Sequence, residues 1–190
     1  MIFTLQKYEI KPMNPYALLE KYYDKESELY RILLTHSEQV RDKALAVADK
    51  HPELNADRAF IAEAAMLHDI GIFLTDAPSI FCFGDKEYIC HGYLGSEILQ
   101  REGFLRHALV CERHTGTGLS LEYILANNLP VPHRDMRPVS IEEQIICYAD
   151  KFFSKTKLNR EMTAEKVASK LLKYGDTHAL RFLDWHTIFD

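Results

Sequence analysis

Apolar residues recur with the period of amphipathic helices over residues 14–47. Asn14 followed by Pro15 is typical of a helix start, since asparagine caps well and proline suits the first turn. The pattern predicts a helix that continues to about Leu34, with a break near Glu26 or Ser27.

A second helix start is predicted further along by a capping box, in which Thr35 precedes Glu38 by three residues. The apolar stripe that follows has helical spacing and consists of His36, Val40, Ala44 and Val47. We therefore expect His36 in the first turn of this helix, on the side that faces the core.

The later helices are predicted from apolar spacing together with end residues. Asn55 is expected to cap a helix that carries His68 on its inward face, and Gly71 to end it in the left-handed conformation. Ser140 and Glu143 form another capping box, which predicts a helix through about Thr156. Further predicted helices cover residues 92–101, 105–113, 164–174 and 178–189.

Strands are scarce in the pattern. Residues 74–88 contain Pro78 and Gly84 without a sustained period, which predicts a loop, and residues 2–10 alternate weakly, which is compatible with an extended segment.

The predicted fold class is all-α. Because 190 residues with 47% apolar content can bury a core, we expect a single domain over residues 1–190. Its helical core is expected at about 30–158, with packing helices at about 163–189.

The charge and composition of the chain indicate which classes of binding partner to expect. A formal net charge of -5 gives no basic footprint, so a nucleic-acid duplex is not expected as a partner, whereas a small anionic substrate is compatible with local lysines and arginines. The four cysteines form no CxxC pair. No apolar run is long enough to span a bilayer, so we expect a cytoplasmic protein with no membrane partner. Aromatic residues near Tyr22, Tyr23 and Tyr30 are compatible with an oligomer.

Six side chains have types and spacings that suit a metal site. They are His36, His68, Asp69, His91, His114 and Asp150. Imidazole and carboxylate together suit divalent Fe, Mn, Zn, Ni or Co, and the absence of thiolates argues against a structural zinc knot. Asp69 directly follows His68 at a helix end, which makes it the candidate bridge between two ions. Asp150, expected in mid-helix among apolar residues, would be costly to bury without a partner. The other histidines, at 51, 107, 133, 178 and 186, are expected to be surface or satisfied residues.

These residues resemble a known family. The order of a histidine, an HD pair within LHDIG, two further histidines and an aspartate within CYADKFFSK is similar to the HD-domain superfamily, HDIG-type branch, over roughly residues 36–155. The resemblance implies a helical bundle with a site for one or two divalent transition metals between core helices. It implies His36, His68, Asp69 and Asp150 around one metal, with His91 and His114 joining Asp69 on a second.

The resemblance also implies a phosphohydrolase that attacks a small, nucleotide-like phosphomonoester or phosphodiester with a metal-activated hydroxide at Asp69. Lys151 and Arg134 are the first candidates for catalytic cations, and Ser154 for orienting the ligand from one turn after Asp150. Further phosphate-binding candidates are Arg113, Thr115, Gly116, Arg137 and Lys155. Two alternatives are that the two lysines form a solvated helix face and that the glycine turn after His114 only ends a helix.

Three function classes stay open. The first is the phosphohydrolase, and the second is a mixed-valent di-iron oxygenase, because a branch of the superfamily uses the same ligand set. The third is a regulatory domain that binds a nucleotide without turnover. TGTGLS after His114 lacks the Gly-Tyr-Pro signature of cyclic-di-guanylate phosphodiesterases, so that substrate is not implied.

Overall fold

Helices form most of the computed structural model, which describes residues 13–190. The helices of this part are α1 (Pro15–Tyr22), α2 (Glu28–Lys50), α3 (Arg58–Leu67), α4 (His91–Arg101), α5 (Leu105–Arg113), α6 (Leu121–Ala126), α7 (Ile141–Asp150), α8 (Ala164–Leu171) and α9 (Asp176–Phe189). The prediction of an all-α helical bundle is confirmed. The weakly alternating segment 2–10 lies outside the described residues. Within residues 13–190 no helix is both long and apolar enough to cross a membrane.

Helix α2 begins earlier than the capping box suggested. Ser27 is its N-cap and accepts a hydrogen bond from the Tyr30 backbone N–H, so Thr35 lies inside a helix of 23 residues. The expectation that His36 occupies a first turn is therefore wrong, whereas its core-facing side is confirmed, since only 1% of the residue is exposed. The cap at Asn14 is as predicted, with the Ala17 N–H as donor.

The ends of α3 also differ from the prediction. Asp57, not Asn55, caps the helix by accepting from the Phe60 N–H, while Asn55 takes a left-handed conformation after a short 3-10 turn. Gly71 has a φ of -87°, so the predicted left-handed ending is wrong. Glycine is needed there for a close approach, because a Cβ would collide with the backbone of α4.

The segment predicted as a loop contains a small sheet. Its strands are β1 (Thr75–Ala77), β2 (Cys82–Phe83) and β3 (Lys86–Glu87), in the order β2-β1-β3. Strand β1 pairs antiparallel with β2, with Asp76 opposite Phe83, and parallel with β3, with Thr75 opposite Lys86. The strands are too short for a period of two to emerge from the sequence, which explains why the pattern missed them.

After residue 120 the helices differ from the prediction in four places. Helix α6, capped by Ser120, was not predicted at all. Helix α7 starts at its predicted cap, Ser140, but ends at Asp150 rather than near Thr156, so Asp150 is a helix end and not a mid-helix residue. Helix α8 gives way to a 3-10 turn after Leu171, and α9 begins two residues earlier than predicted.

Two apolar cores meet at one place. In α2, Leu33 belongs to the core shared with α1, α4 and α5, while Val40 belongs to the core shared with α7, α8 and α9. His36 lies between them. Helix α3 makes the same transition, from Ala65 in one core to Leu67 in the other, immediately before His68. Polar side chains thus converge at the seam of two cores that hold their backbones rigid.

Candidate metal centre

One oxygen of Asp69 faces the first ligand group, which we define as His36, His68, Asp69 and Asp150. Asp69 Oδ2 lies 3.2 Å from His36 Nε2 and 2.9 Å from His68 Nε2. Asp150 Oδ1 closes the group from the end of α7, at 3.0 Å from His36 Nε2 and 3.6 Å from His68 Nε2. The four residues offer ligand atoms that all lie within 4.8 Å of one another and could hold a metal ion.

The other oxygen of Asp69 faces the second ligand group, Asp69, His91 and His114. Asp69 Oδ1 lies 3.4 Å from the Nε2 atoms of both histidines, which are 3.0 Å from each other. His91 begins α4 and His114 follows the end of α5, so neither side chain interrupts a helix. The structure therefore places Asp69 between two groups of ligand atoms, the position that the sequence suggested for a bridge.

Backbone carbonyls orient three of the imidazoles. His68 Nδ1 lies 2.6 Å from Ala65 O, and His91 Nδ1 lies 2.6 Å from Tyr88 O. His114 Nδ1 lies 2.7 Å from Cys111 O. A carbonyl can only accept, so each Nδ1 donates, and in the neutral ring that a metal requires the lone pair of Nε2 points into the site. Two such lone pairs 3.0 Å apart repel each other unless a cation lies between them.

Burial makes these polar atoms costly without a further partner. Asp69 and His68 are fully buried, and within the described residues Asp69 Oδ1 and the Nε2 atoms of His36 and His68 make no hydrogen bond of acceptable geometry. Unpaired buried polar groups are rare and each requires an explanation. Divalent ions would pair these atoms, so the donor set fits a metal.

Charge balance inside the site is reflected in the pKa values. Burial alone would raise the pKa of Asp69, but the charges of His68 and Lys155 outweigh it and hold the pKa well below its usual range. Burial disfavours the charged form of His68. The carboxylates of Asp69 and Asp150 favour that form by more, so the pKa of His68 rises to about 9. Burial and the neighbouring His114 lower the pKa of His91 to about 3, which leaves that ring neutral.

Both candidate lysines enter the site. Lys155 Nζ lies 2.5 Å from Asp69 Oδ2, and Lys151 Nζ lies 2.5 Å from Asp150 Oδ2 and 3.0 Å from His114 O. Their side chains are only 12% and 11% exposed, so the alternative of a solvated face is wrong. Burial lowers the pKa of Lys155, but Asp69 raises it by more, so the ammonium stays charged.

A cavity of about 760 Å³ opens beside the two ligand groups. Asp150, His91, His114, Lys151 and Lys155 line one end of it. Apolar and aromatic side chains line most of the rest, among them Ile89, Leu119, Tyr123, Leu129, Phe153 and Tyr174. Charged and apolar side chains therefore both line the cavity.

The three candidate arginines lie elsewhere. Arg113 donates to both carboxylate oxygens of Glu143, at 3.1 and 2.9 Å. Arg134 pairs with Glu112, and Arg137 pairs with Asp135. None of the three is among the described residues that line the cavity. The structure therefore does not bring Arg134, expected as a catalytic cation, or Arg113 and Arg137, expected to bind phosphate, to the cavity, and each guanidinium has a carboxylate partner.

The glycine turn after His114 does reach the cavity, through Thr115 and Gly116. Half of its backbone donors are used internally, however, because the Thr117 N–H bonds to His178 Nδ1 and the Gly118 N–H to Thr115 O. Ser154 lines the cavity but lies 3.0 Å from the Thr156 hydroxyl, not against Asp150 as expected.

Sequence reasoning missed His178 as a cavity residue. It is 3% exposed and belongs to the buried stripe of α9, which consists of His178, Phe182, Trp185 and Phe189. Its helical spacing from three aromatic residues could have shown that it faces inward. His36 has the same signal on α2.

Comparison with known proteins gives three informative relatives. A tRNA (cytidine(56)-2'-O)-methyltransferase of Picrophilus torridus is 32% identical over 87% of this chain and 47% of its own length. An uncharacterized protein of Methanocaldococcus jannaschii is 34% identical over 65% of each chain. A tRNA (cytidine(56)-2'-O)-methyltransferase of Thermoplasma volcanium is 33% identical over 64% of this chain and 32% of its own length. The chain thus spans about a third to two thirds of these relatives. No solved structure matches it.

The family is shown by a model that covers both ligand groups. The model for the HD domain matches residues 33–154, which include the six metal-ligand candidates and most of α2 to α7. The match also agrees with the helical bundle and with the histidine and aspartate groups at its centre. The chain therefore belongs to the HD-domain family, whose fold is that of metal-dependent phosphohydrolases.

Proposed function

We propose that this chain is a metal-dependent phosphohydrolase that acts on a small phosphoester. The observation that carries the proposal is the position of Asp69, whose two oxygens face separate ligand groups beside a cavity with two buried ammonium groups. Metal ions and lysines at one end of a cavity provide the concentrated positive charge that a phosphoryl group requires.

The first ligand group would hold one ion and the second a further ion, with Asp69 shared between them. When bound, such ions lower the pKa of a water molecule and withdraw charge from phosphoryl oxygens. The imidazoles of His68, His91 and His114 are already oriented for this role by backbone carbonyls. Little reorganisation would be needed on binding.

The two lysines have different tasks in this proposal. Lys155 lines the cavity and lies against Asp69, so its ammonium can contact a phosphoryl oxygen held at the ligand groups. Lys151 is held between Asp150 and the His114 carbonyl, so it chiefly positions the carboxylate of Asp150. Lys155 is therefore our candidate for the catalytic cation.

The cavity favours a small substrate. A volume of about 760 Å³ lies within the range of about 300–1,000 Å³ that is usual for small-molecule sites. The ester end fits the lysines, and the rest of the molecule fits the apolar walls. A duplex would instead need a basic surface, and the net charge of -5 offers none.

The names of two relatives favour a second candidate, an activity on tRNA. The alignments cover 47% and 32% of those proteins, so the named methyl transfer can belong to the part that this chain does not match. If tRNA is the substrate here, the cavity would receive an end or a flipped-out nucleotide rather than a helix.

The proposal is tested by assaying purified protein, with manganese, iron or cobalt, against a panel of phosphomonoesters and phosphodiesters. We expect turnover in the wild type and loss of it in His114→Ala. The matched control is His107→Ala, which removes a histidine of α5, the helix that His114 follows, whose ring pairs with Glu63 instead. No turnover with any metal would refute a phosphohydrolase.

Two further readouts separate the other candidates. A di-iron oxygenase would purify with two irons in a coupled ferrous–ferric state visible by EPR, and would consume dioxygen with its substrate. A methyltransferase would transfer a labelled methyl group from S-adenosylmethionine to tRNA. The phosphohydrolase proposal expects neither oxygen consumption nor methyl transfer.

A further inference from the structure

His178 is a buried imidazole in the cavity with one ring nitrogen already committed. The Thr117 backbone N–H donates to His178 Nδ1 at 3.3 Å, and the Thr117 hydroxyl lies 2.9 Å from the same atom. Because a backbone N–H can only donate, Nδ1 must be an acceptor, and the proton of the neutral ring must lie on Nε2. Arg181 holds Thr117 from the other side, donating to its carbonyl at 2.8 Å.

The other ring nitrogen has no such partner. Within residues 13–190, His178 Nε2 makes no hydrogen bond, although the residue is 97% buried and lines the cavity. Nε2 is not one of the fully enclosed unpaired polar atoms of the described residues. Because the His178 side chain lines the cavity, a ligand there can accept the hydrogen bond that Nε2 donates.

Gly116 connects the His178 ring to the second ligand group. The His178 ring packs against Gly116, where an added Cβ would lie 3.1 Å from Cε1. Gly116 is two residues after His114, so its Cα lies at most about 7.6 Å from that of the ligand residue. Tyr123 meets the ring edge-to-face at 4.9 Å and lines the same wall.

We propose that His178 is a specificity-determining residue that donates a hydrogen bond from Nε2 to the organic part of the substrate. The inference rests on the proposed function and deepens it. The substrate is then a phosphoester whose organic part carries a hydrogen-bond acceptor, such as a carbonyl oxygen or ring nitrogen of a heteroaromatic ring. Tyr123 provides the aromatic surface beside that acceptor.

The test compares two ligands that share a phosphoryl group and differ in the acceptor. Equilibrium binding to the manganese-loaded protein is measured for nucleoside 5'-phosphonates, with each of the four bases, and for phenylphosphonate. In His178→Phe, which keeps a flat ring without the donor, we expect binding of the preferred nucleoside compound to weaken about 5- to 10-fold, the effect of one hydrogen bond. Binding of phenylphosphonate should be unchanged.

His178→Gln provides the rescue, because its amide can place an N–H near the position of Nε2. It should restore most of the preference for the nucleoside compound. Equal weakening of both ligands in His178→Phe, or no weakening of either, would overturn the inference, as would a wild type that binds neither. A purely structural role would change both ligands together.

A second measurement needs no variant. Two-dimensional ¹H–¹⁵N NMR of the histidine rings should show His178 as the neutral form with the proton on Nε2, and the opposite tautomer would overturn the inference. Failure of the proposed function is distinguishable, since it would appear as selective binding without hydrolysis of the matching phosphate esters.

Discussion

Removing Asp69 should abolish the link between metal binding and stability, because its two oxygens face both ligand groups. For the wild type, metal at one hundred times its dissociation constant stabilises the folded state by about 2.7 kcal/mol. In a chain of this size each kcal/mol raises Tm by about 2–4 °C, so the expected metal-dependent rise is about 5–11 °C. In Asp69→Ala we expect a rise below about 2 °C, with little metal retained.

The assay must separate lost metal from lost charge balance. Asp69→Ala also removes the partner of the Lys155 ammonium, and an uncompensated buried charge is itself destabilising by about 3–5 kcal/mol. We therefore compare Tm with and without chelator within each variant, together with metal content by elemental analysis. The double variant Asp69→Ala/Lys155→Met should recover stability without recovering metal.

A graded control comes from His91→Ala, which leaves the first ligand group complete and should retain about one ion while weakening the second. His107→Ala should behave as the wild type, since its ring pairs with Glu63. Equal metal content and an equal Tm rise in wild type and Asp69→Ala would refute the shared-ligand assignment.

Three further predictions follow from the same contacts. Lys155→Gln should lower kcat by about 100-fold at unchanged metal content, by analogy with the loss of one preorganised donor, and an unchanged kcat would exclude its contact with the phosphoryl group. Burial and the nearby Arg181 lower the pKa of His178 from 6.5, its value in the unfolded chain, to about 4. Between these pH values the unfolded chain binds more protons than the folded chain, so the free energy of unfolding should fall as pH drops from about 6.5 to 4. The fall should be smaller in His178→Gln, and identical urea midpoints across this range would contradict the assignment. Arg134→Gln should leave kcat within about two-fold, because its guanidinium pairs with Glu112 outside the cavity, and a ten-fold loss would restore it as a catalytic candidate.

The sequence predicted the bounds of a helix correctly where residues typical of a helix boundary lie at both of its ends. Helix α5 has the predicted bounds, Leu105–Arg113, since Gly103 with a φ of 86° separates it from α4 and the turn at Gly116 follows it. The six ligand candidates could be named from the sequence because their residue types suit a metal and their order resembles the HD domain. Their convergence could not be derived from spacing alone.

The start of α2 shows why local signals sometimes mislead. Ser27 and Thr35 both precede residues that suit a first turn, but only Ser27 is the cap. The longer helix is stabilised because Leu33 and Val40 are buried in different cores, each side chain contributing about 1.5–3 kcal/mol. If the helix began at Thr35, Leu33 would lie before its first residue and would not pack from a helical face into the core shared with α1, α4 and α5.

Which cationic side chains reach the cavity depends on ion pairs between residues that are far apart in the sequence. Arg113 and Glu143 are 30 residues apart, and Arg134 and Glu112 are 22 apart, so nothing local indicated that both guanidinium groups were occupied. The lysines depended instead on one helix end. Because α7 stops at Asp150, the chain turns, and Lys155 reaches Asp69 rather than extending along a helix surface.

The sum of the charges at the two ligand groups gives a reason to prefer an anionic substrate over a neutral one. Imidazoles that ligate a metal ion are neutral, so in the metal-bound site the carboxylates of Asp69 and Asp150 are balanced by the ammonium groups of Lys151 and Lys155, which they contact. Each divalent ion that binds then adds two uncompensated positive charges in a buried site, which is unfavourable without a counter-ion. A phosphomonoester dianion compensates one ion, whereas an uncharged alcohol compensates none. The two buried lysines therefore weigh toward phosphoester hydrolysis and against oxidation of a neutral substrate by the same ligand set.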